Sequence, residues 1–199
     1  MKNAVEQMGQ EAGPRLRFLL CDVTGDNDNL SSAEEEWVSS PIRCLDLAVD
    51  RDPGIVVVRF GRVSIAERET LLELCFALKR NSRAQRRPVL ALLFSRHRRL
   101  MEELERAKVD YIRYVGEARL DSALAREIIA GLGPEDRPAR RLESVCPFPR
   151  YSVIDARREL AVCGAYLERM VLGGRRLREL CETEAHLGCE CYLHPRPKP

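Results

Sequence analysis

Short apolar runs alternate with longer segments of helical periodicity over most of this chain. RLRFLLCDV (15–23) is an apolar run closing on Asp22, suited to a buried strand. The acidic, turn-rich TGDNDNLSSAEEE that follows predicts a loop, with a further strand expected between Asn29 and Val38. Ser40-Pro41 opens a short helix, PIRCLDLAVD. GIVVVRF (54–60) is a continuous β-branched run, the pattern of a strand covered on both faces. Ser64 is a suitable N-cap for IAERETLLELCFALKRN, which predicts a helix with Ile65, Leu72, Cys75, Phe76 and Leu78 on one face. PVLALLFS (88–95) and DYIRYVG (110–116) predict two more strands. Between them, residues 96–109 predict a helix with Ser95 as its N-cap and Leu100, Met101, Leu104 and Ala107 inward. LDSALAREIIAGLG (120–133) closes the series, with Gly131 and Gly133 as stop signals.

Strands separated by single helices form βαβ units and a parallel sheet. Right-handed crossovers then place helices on both faces, so the expected class is α/β, a small three-layer sandwich. In order and length of elements, residues 15–133 resemble the receiver domain of response regulators. The resemblance implies a flavodoxin-like sheet and an interaction or signalling role. A phosphorylatable receiver carries an Asp at the end of its third strand, where this chain reads Arg59-Phe60-Gly61. It carries a Lys after its fifth strand, where this chain reads Val115-Gly116-Glu117. Asp22 and Ser95 match the acidic and hydroxyl positions. Without an acceptor there is no phosphoaspartate, so the resemblance is to a degenerate, non-phosphorylatable receiver.

The remaining segments divide as a polar leader (1–14), a linker (134–145) with Pro134 and Pro138, and a cysteine-rich appendage (146–199). No apolar run approaches the ~18 residues of a membrane span, and the first residues lack the apolar run of a signal peptide. A cytoplasmic protein is expected. Net charge is +2 over 199 residues, which supports no global case for nucleic acid. Recurrent arginine doublets, such as Arg86-Arg87 and Arg175-Arg176, read as solvated faces interleaved with acids. A local phosphate-binding patch is the alternative.

Cysteine changes the picture most. Of eight cysteines, five lie at Cys146, Cys163, Cys181, Cys189 and Cys191. Cys21, Cys44 and Cys75 sit in predicted strands or apolar helix faces and read as small buried hydrophobes. In a reducing compartment structural disulfides are disfavoured. A soft metal binds thiolates strongly and ties together a segment too poor in large apolar residues to close by burial. The spacing is Cys146-x16-Cys163-x17-Cys181-x7-Cys189, with no C-x2-C knuckle. That argues against the ribbon, RING and LIM types of zinc site. Widely spaced ligands and Cys146-Pro147 resemble helical iron–sulfur domains. The expected ligands are Cys146, Cys163, Cys181 and Cys189, around an iron–sulfur cluster of the [4Fe–4S] type. Arg157, Arg158, Arg175, Arg176 and Arg178 are available to screen its charge. Cys191 is the ambiguous fifth thiol. His186 and His194 keep a Cys3His zinc site open, while His97 reads as a helix surface residue.

The segment from Leu180 to Tyr192, with Cys181, Cys189 and the aromatic Tyr192 three positions on, resembles a short module at the ends of uncharacterised proteins of anaerobic bacteria. Cys163 fits its upstream cysteine and Cys146-Pro147-Phe148 its opening. The resemblance implies neither a metal nor a role.

No dinucleotide, P-loop, zincin or nucleophile-elbow motif is present. Asp22, Asp26 and Asp28 could bind Mg²⁺ at the sheet edge, although a solvated loop is the plainer reading. The expectation is a non-enzymatic metal protein, regulatory, redox-sensing or electron-carrying, that works through a protein partner. The alternative is a zinc-stapled signalling or transcription adaptor.

Overall fold

The computed structural model describes residues 17–25 and 34–196. The body is a five-stranded parallel sheet of β1 (Phe18–Cys21), β2 (Glu35–Val38), β3 (Ile55–Phe60), β4 (Val89–Leu93) and β5 (Tyr111–Tyr114). Its order, β2-β1-β3-β4-β5, is that of flavodoxin-like folds. The fifth strand expected after Asn29 is β2. β1, β3 and β4 are buried along their whole length, as the apolar runs of β1 and β4 require; in β3 the one charged residue is Arg59.

Helices cover the two faces unequally. On one, α1 (Pro41–Asp50), α2 (Ile65–Arg80) and α3 (Arg98–Arg106) pack Cys44, Ala48, Leu71, Leu74, Cys75, Leu78, Leu100, Met101 and Leu104 on the sheet. On the other, α4 (Ser122–Ala130) covers Phe18, Leu20, Val57 and Leu92 with Leu124, Ala125 and Ile128. Ser40 caps α1, and Ser64 caps α2 in a reciprocal capping box with Glu67. Leu71 and Leu74 take core positions on α2, while Leu72 and Phe76 are only partly buried.

Three local expectations are corrected. α3 begins at Arg98, and its cap is His97, whose Nδ1 accepts from the Leu100 amide; Ser95 lies outside the helix. His97 is also no surface residue. Its ring stacks on Tyr151 with centroids 3.8 Å apart. The segment 134–145, expected as a linker, is a 3₁₀ turn (Pro134–Asp136) followed by α5 (Pro138–Glu143). Both prolines stand at first-turn positions, where a missing N–H costs nothing, so they start helices instead of breaking them. Leu142 and Val145 then join the body's core.

The tail begins with an antiparallel hairpin, β6 (Pro149–Val153) and β7 (Glu159–Cys163). It continues through α6 (Gly174–Arg176), a π-helical turn (Leu177–Cys181), a 3₁₀ turn (Glu184–Gly188) and α7 (Glu190–Leu193). Among the described residues no helix is long and apolar enough to cross a membrane.

Candidate metal centre

Four pieces of backbone deliver the five cysteines of the tail. Cys146 lies in the connection between α5 and β6. Its amide donates to the Cys181 carbonyl at 2.8 Å. Cys163 ends β7, opposite Pro149 in register. The next residue is Gly164, whose amide donates to the Phe148 carbonyl. A Cβ there would stand 2.8 Å from that oxygen, so the close approach needs glycine. Cys181 ends the π-helical turn, a geometry that recurs at functional sites. Cys189 caps α7 and Cys191 lies within it.

These pieces converge. Cys146, Cys163, Cys181, Cys189 and Cys191 line one small cavity with His186, Phe148, Met170, Leu172 and Tyr192. Its free volume is about 10 Å³, the room of a single water. Cys146 and Cys181 are near enough to act on each other's charge, as are Cys163 and Cys191. Cys189 is near enough to both Cys181 and Cys191 to act on their charge. The structure thus gathers the four cysteines singled out by spacing, and Cys191 with them. Cys146, Cys163, Cys181 and His186 are buried; Cys189 and Cys191 are half-exposed. His194 is exposed and lies outside the cavity. No cysteine is in a disulfide. Among the described residues, no three His, Cys, Asp or Glu side chains are gathered tightly enough to hold a single metal ion as they stand.

Electrostatics separates the thiols. The Cys181 thiol donates to Cys146 and, against burial, draws it down to about 6. The Phe148 amide, His186 and Arg98 add to that pull. Cys181 is pushed up by its bond to Cys146, by burial and by the neighbouring thiols. Cys191 is raised by burial and by Cys163 and Cys189, against the charge of Arg176.

Of the expected screening arginines, Arg176 lines the cavity, while Arg158 pairs with Asp155 and Arg175 with Glu179. Spacing missed the cation that faces Cys146, because it belongs to the body. Arg98 Nη1 reaches the carbonyls of Leu142, Val145 and Cys146 at 3.3 Å each.

Arg98 is one of several body contacts that seat the tail. Arg68 makes a two-pronged pair with Glu159, both bonds 2.7 Å. His97 Nε2 donates to the same carboxylate at 3.2 Å. Its Nδ1 accepts from Leu100, so the proton must sit on Nε2. Arg96 reaches the Glu182 carbonyl. All these residues come from α2 or from the Arg96-His97-Arg98 run after β4.

The receiver positions are closed. Asp22, at the end of β1, pairs with Arg59 at 2.7 Å, and both side chains are almost fully buried. Arg59 also reaches the Thr24 hydroxyl. An arginine thus occupies the corner of Asp22, the place suggested for a Mg²⁺ ion. Asp26 and Asp28, the rest of the suggested Mg²⁺ group, lie outside the described residues.

No protein-family model matches the chain, and no curated protein matches it.

Proposed function

We propose that this protein carries an iron–sulfur cluster in its tail and uses it in a regulatory, redox-sensing or electron-carrying role. One observation carries the reading: five thiols from four separate backbone pieces line one cavity. In that part of the molecule the buried core is Cys146, Ala161, Cys163, Ala165, Leu172 and Cys181, so half of it is thiol. Such a core buries little hydrocarbon, and bonds from thiolate to metal would supply the missing cohesion. A single zinc ion needs sulfurs about 3.8 Å apart, from bonds of about 2.3 Å in a tetrahedron. Cys146, Cys163 and Cys181 supply three thiolates, and the fourth donor comes from Cys189, Cys191 or His186.

The body then serves as a receiver-like interaction module in the cytoplasm that meets a protein partner. It has no phosphate chemistry of its own, because β3 ends without a carboxylate and Asp22 is engaged by Arg59. The direct seating of the tail on α2 and α3 supports a role in which the state of the centre reaches the body's surface.

A zinc-stapled adaptor is the second reading. It is favoured by the cavity's volume, which suits one ion, and by a buried histidine among the donors. Anaerobic purification with absorption spectra and metal analysis tests both. A brown protein with stoichiometric iron and acid-labile sulfide is the expected result. A colourless protein with one zinc per chain replaces the first reading with the second, and a metal-free chain overturns both.

A further inference from the structure

His186 is 2% exposed, more deeply buried than any cysteine of the tail. Its surroundings decide its tautomer. Nδ1 lies 2.7 Å from the Thr183 carbonyl oxygen. A carbonyl only accepts, so Nδ1 carries the proton, and in the neutral ring Nε2 presents a lone pair. This is the arrangement by which proteins orient a metal-binding imidazole, one nitrogen anchored to backbone and the other left for the metal.

The anchoring is built into the local chain. The Thr183 hydroxyl accepts from the Ala185 amide at the start of the 3₁₀ turn, and the Cys189 amide donates to the His186 carbonyl at 2.9 Å. Tyr192 meets the ring edge to face, with centroids 5.0 Å apart. The ring lines the thiol cavity and stands near enough to Cys146 to act on its charge. The hydrogen bond to Thr183 and the contact with Tyr192 fix this buried ring at the wall of the thiol cavity.

Burial also ranks the donors. Cys146, Cys163 and Cys181 are 6%, 6% and 7% exposed, whereas Cys189 and Cys191 are only half-buried at the cavity's mouth. Spacing alone favours Cys189 as the fourth ligand; depth favours His186.

We infer that His186 is a ligand of the proposed centre, bound through Nε2 beside the thiolates of Cys146, Cys163 and Cys181, with Cys189 and Cys191 left as a thiol pair at its mouth. The inference rests on the metal-centre reading and specifies its fourth donor. Replacing one thiolate by a neutral imidazole makes the centre one charge less negative. On a redox-active cluster that raises the reduction potential, as imidazole ligands do elsewhere.

X-ray absorption at the metal edge on the anaerobically purified full-length chain tests it, with nitrogen-14 pulsed EPR where the centre is paramagnetic. The expected result is a first shell of sulfur plus one imidazole, with multiple scattering from the ring. The imidazole signal should vanish in His186→Ala and persist in Cys189→Ser, which should keep its metal. A sulfur-only shell in the metal-loaded wild type overturns the inference while leaving the metal-centre reading intact. Loss of both metal and imidazole signal in Cys189→Ser overturns it too. A wild-type chain without metal overturns both. Since the deciding spectrum is that of the wild type, a variant that fails to fold does not blur the answer.

Discussion

In the body, Cys21, Cys44 and Cys75 meet between β1, α1 and α2, each fully buried in hydrocarbon. In the tail, Cys146, Cys163 and Cys181 share one buried cluster at 6–7% exposure. The surroundings differ. Burial pushes the Cys75 thiol far up, and its contact with Cys21 together with burial does the same to Cys44. Those thiols stay protonated and behave as small apolar side chains. Around Cys146 stand Arg98, His186 and the Phe148 amide, which favour its charge, and Arg176 pulls the same way on Cys191, while Cys181 and Cys191 as a whole are raised. Gathering thiols is therefore not enough by itself; the tail adds two more thiols, a buried histidine and cations beside Cys146 and Cys191.

The sharpest break in that comparison is a pair of serine variants. Cys181→Ser should abolish metal binding and remove hydrogen-exchange protection across 146–196, leaving the body's protection in place. Cys75→Ser should leave metal content unchanged and lower the body's stability by about 1–3 kcal/mol, the cost of burying a hydroxyl in hydrocarbon. Metal analysis with amide exchange reads both. If Cys75→Ser emptied the centre, the two groups would not be independent.

Alkylation sharpens the contrast by orders of magnitude in rate. In metal-free native protein, the half-exposed Cys189 should react with iodoacetamide readily. Cys44 and Cys75 should react only after unfolding, because their thiols are raised and sealed. Mass spectrometry of peptides after timed quenching decides it.

Next in size is the buried pair of the body. Asp22→Ala would leave Arg59 charged and buried, and should cost about 3–5 kcal/mol in denaturant unfolding without changing metal content.

The smallest effect is on the seam between the regions. Against its burial, Glu159 is held well below the usual carboxylate range by hydrogen bonds from His97 and Arg68. A depressed native value adds stability above the unfolded value of about 4.3, and that stability fades as pH falls below it. Tail docking should therefore weaken between about pH 4 and lower values. Glu159→Gln should remove the dependence and cost about 2 kcal/mol at pH 7. Proteolysis of the tail against pH measures both.

Period and composition were enough for the class of the body. Apolar runs such as Val89–Leu93 point to strands covered on both faces, and strands alternating with single helices point to a parallel sheet. Cysteine spacing was enough to single out Cys146, Cys163, Cys181 and Cys189. Four features waited for tertiary structure, each because the interaction joins residues far apart in sequence. Arg59 closing on Asp22 spans 37 positions. Arg98, 48 positions from Cys146, reads locally as one more helix-surface arginine. The two prolines of 134–145 looked like breakers until Leu142 and Val145 found the body's core. His186 gained its place only when the turn from Thr183 buried its ring among thiols. Chain-local chemistry determined which elements form and which atoms are available; only packing decided which of those atoms meet, since burial and direction are properties of the folded neighbourhood and not of the residue.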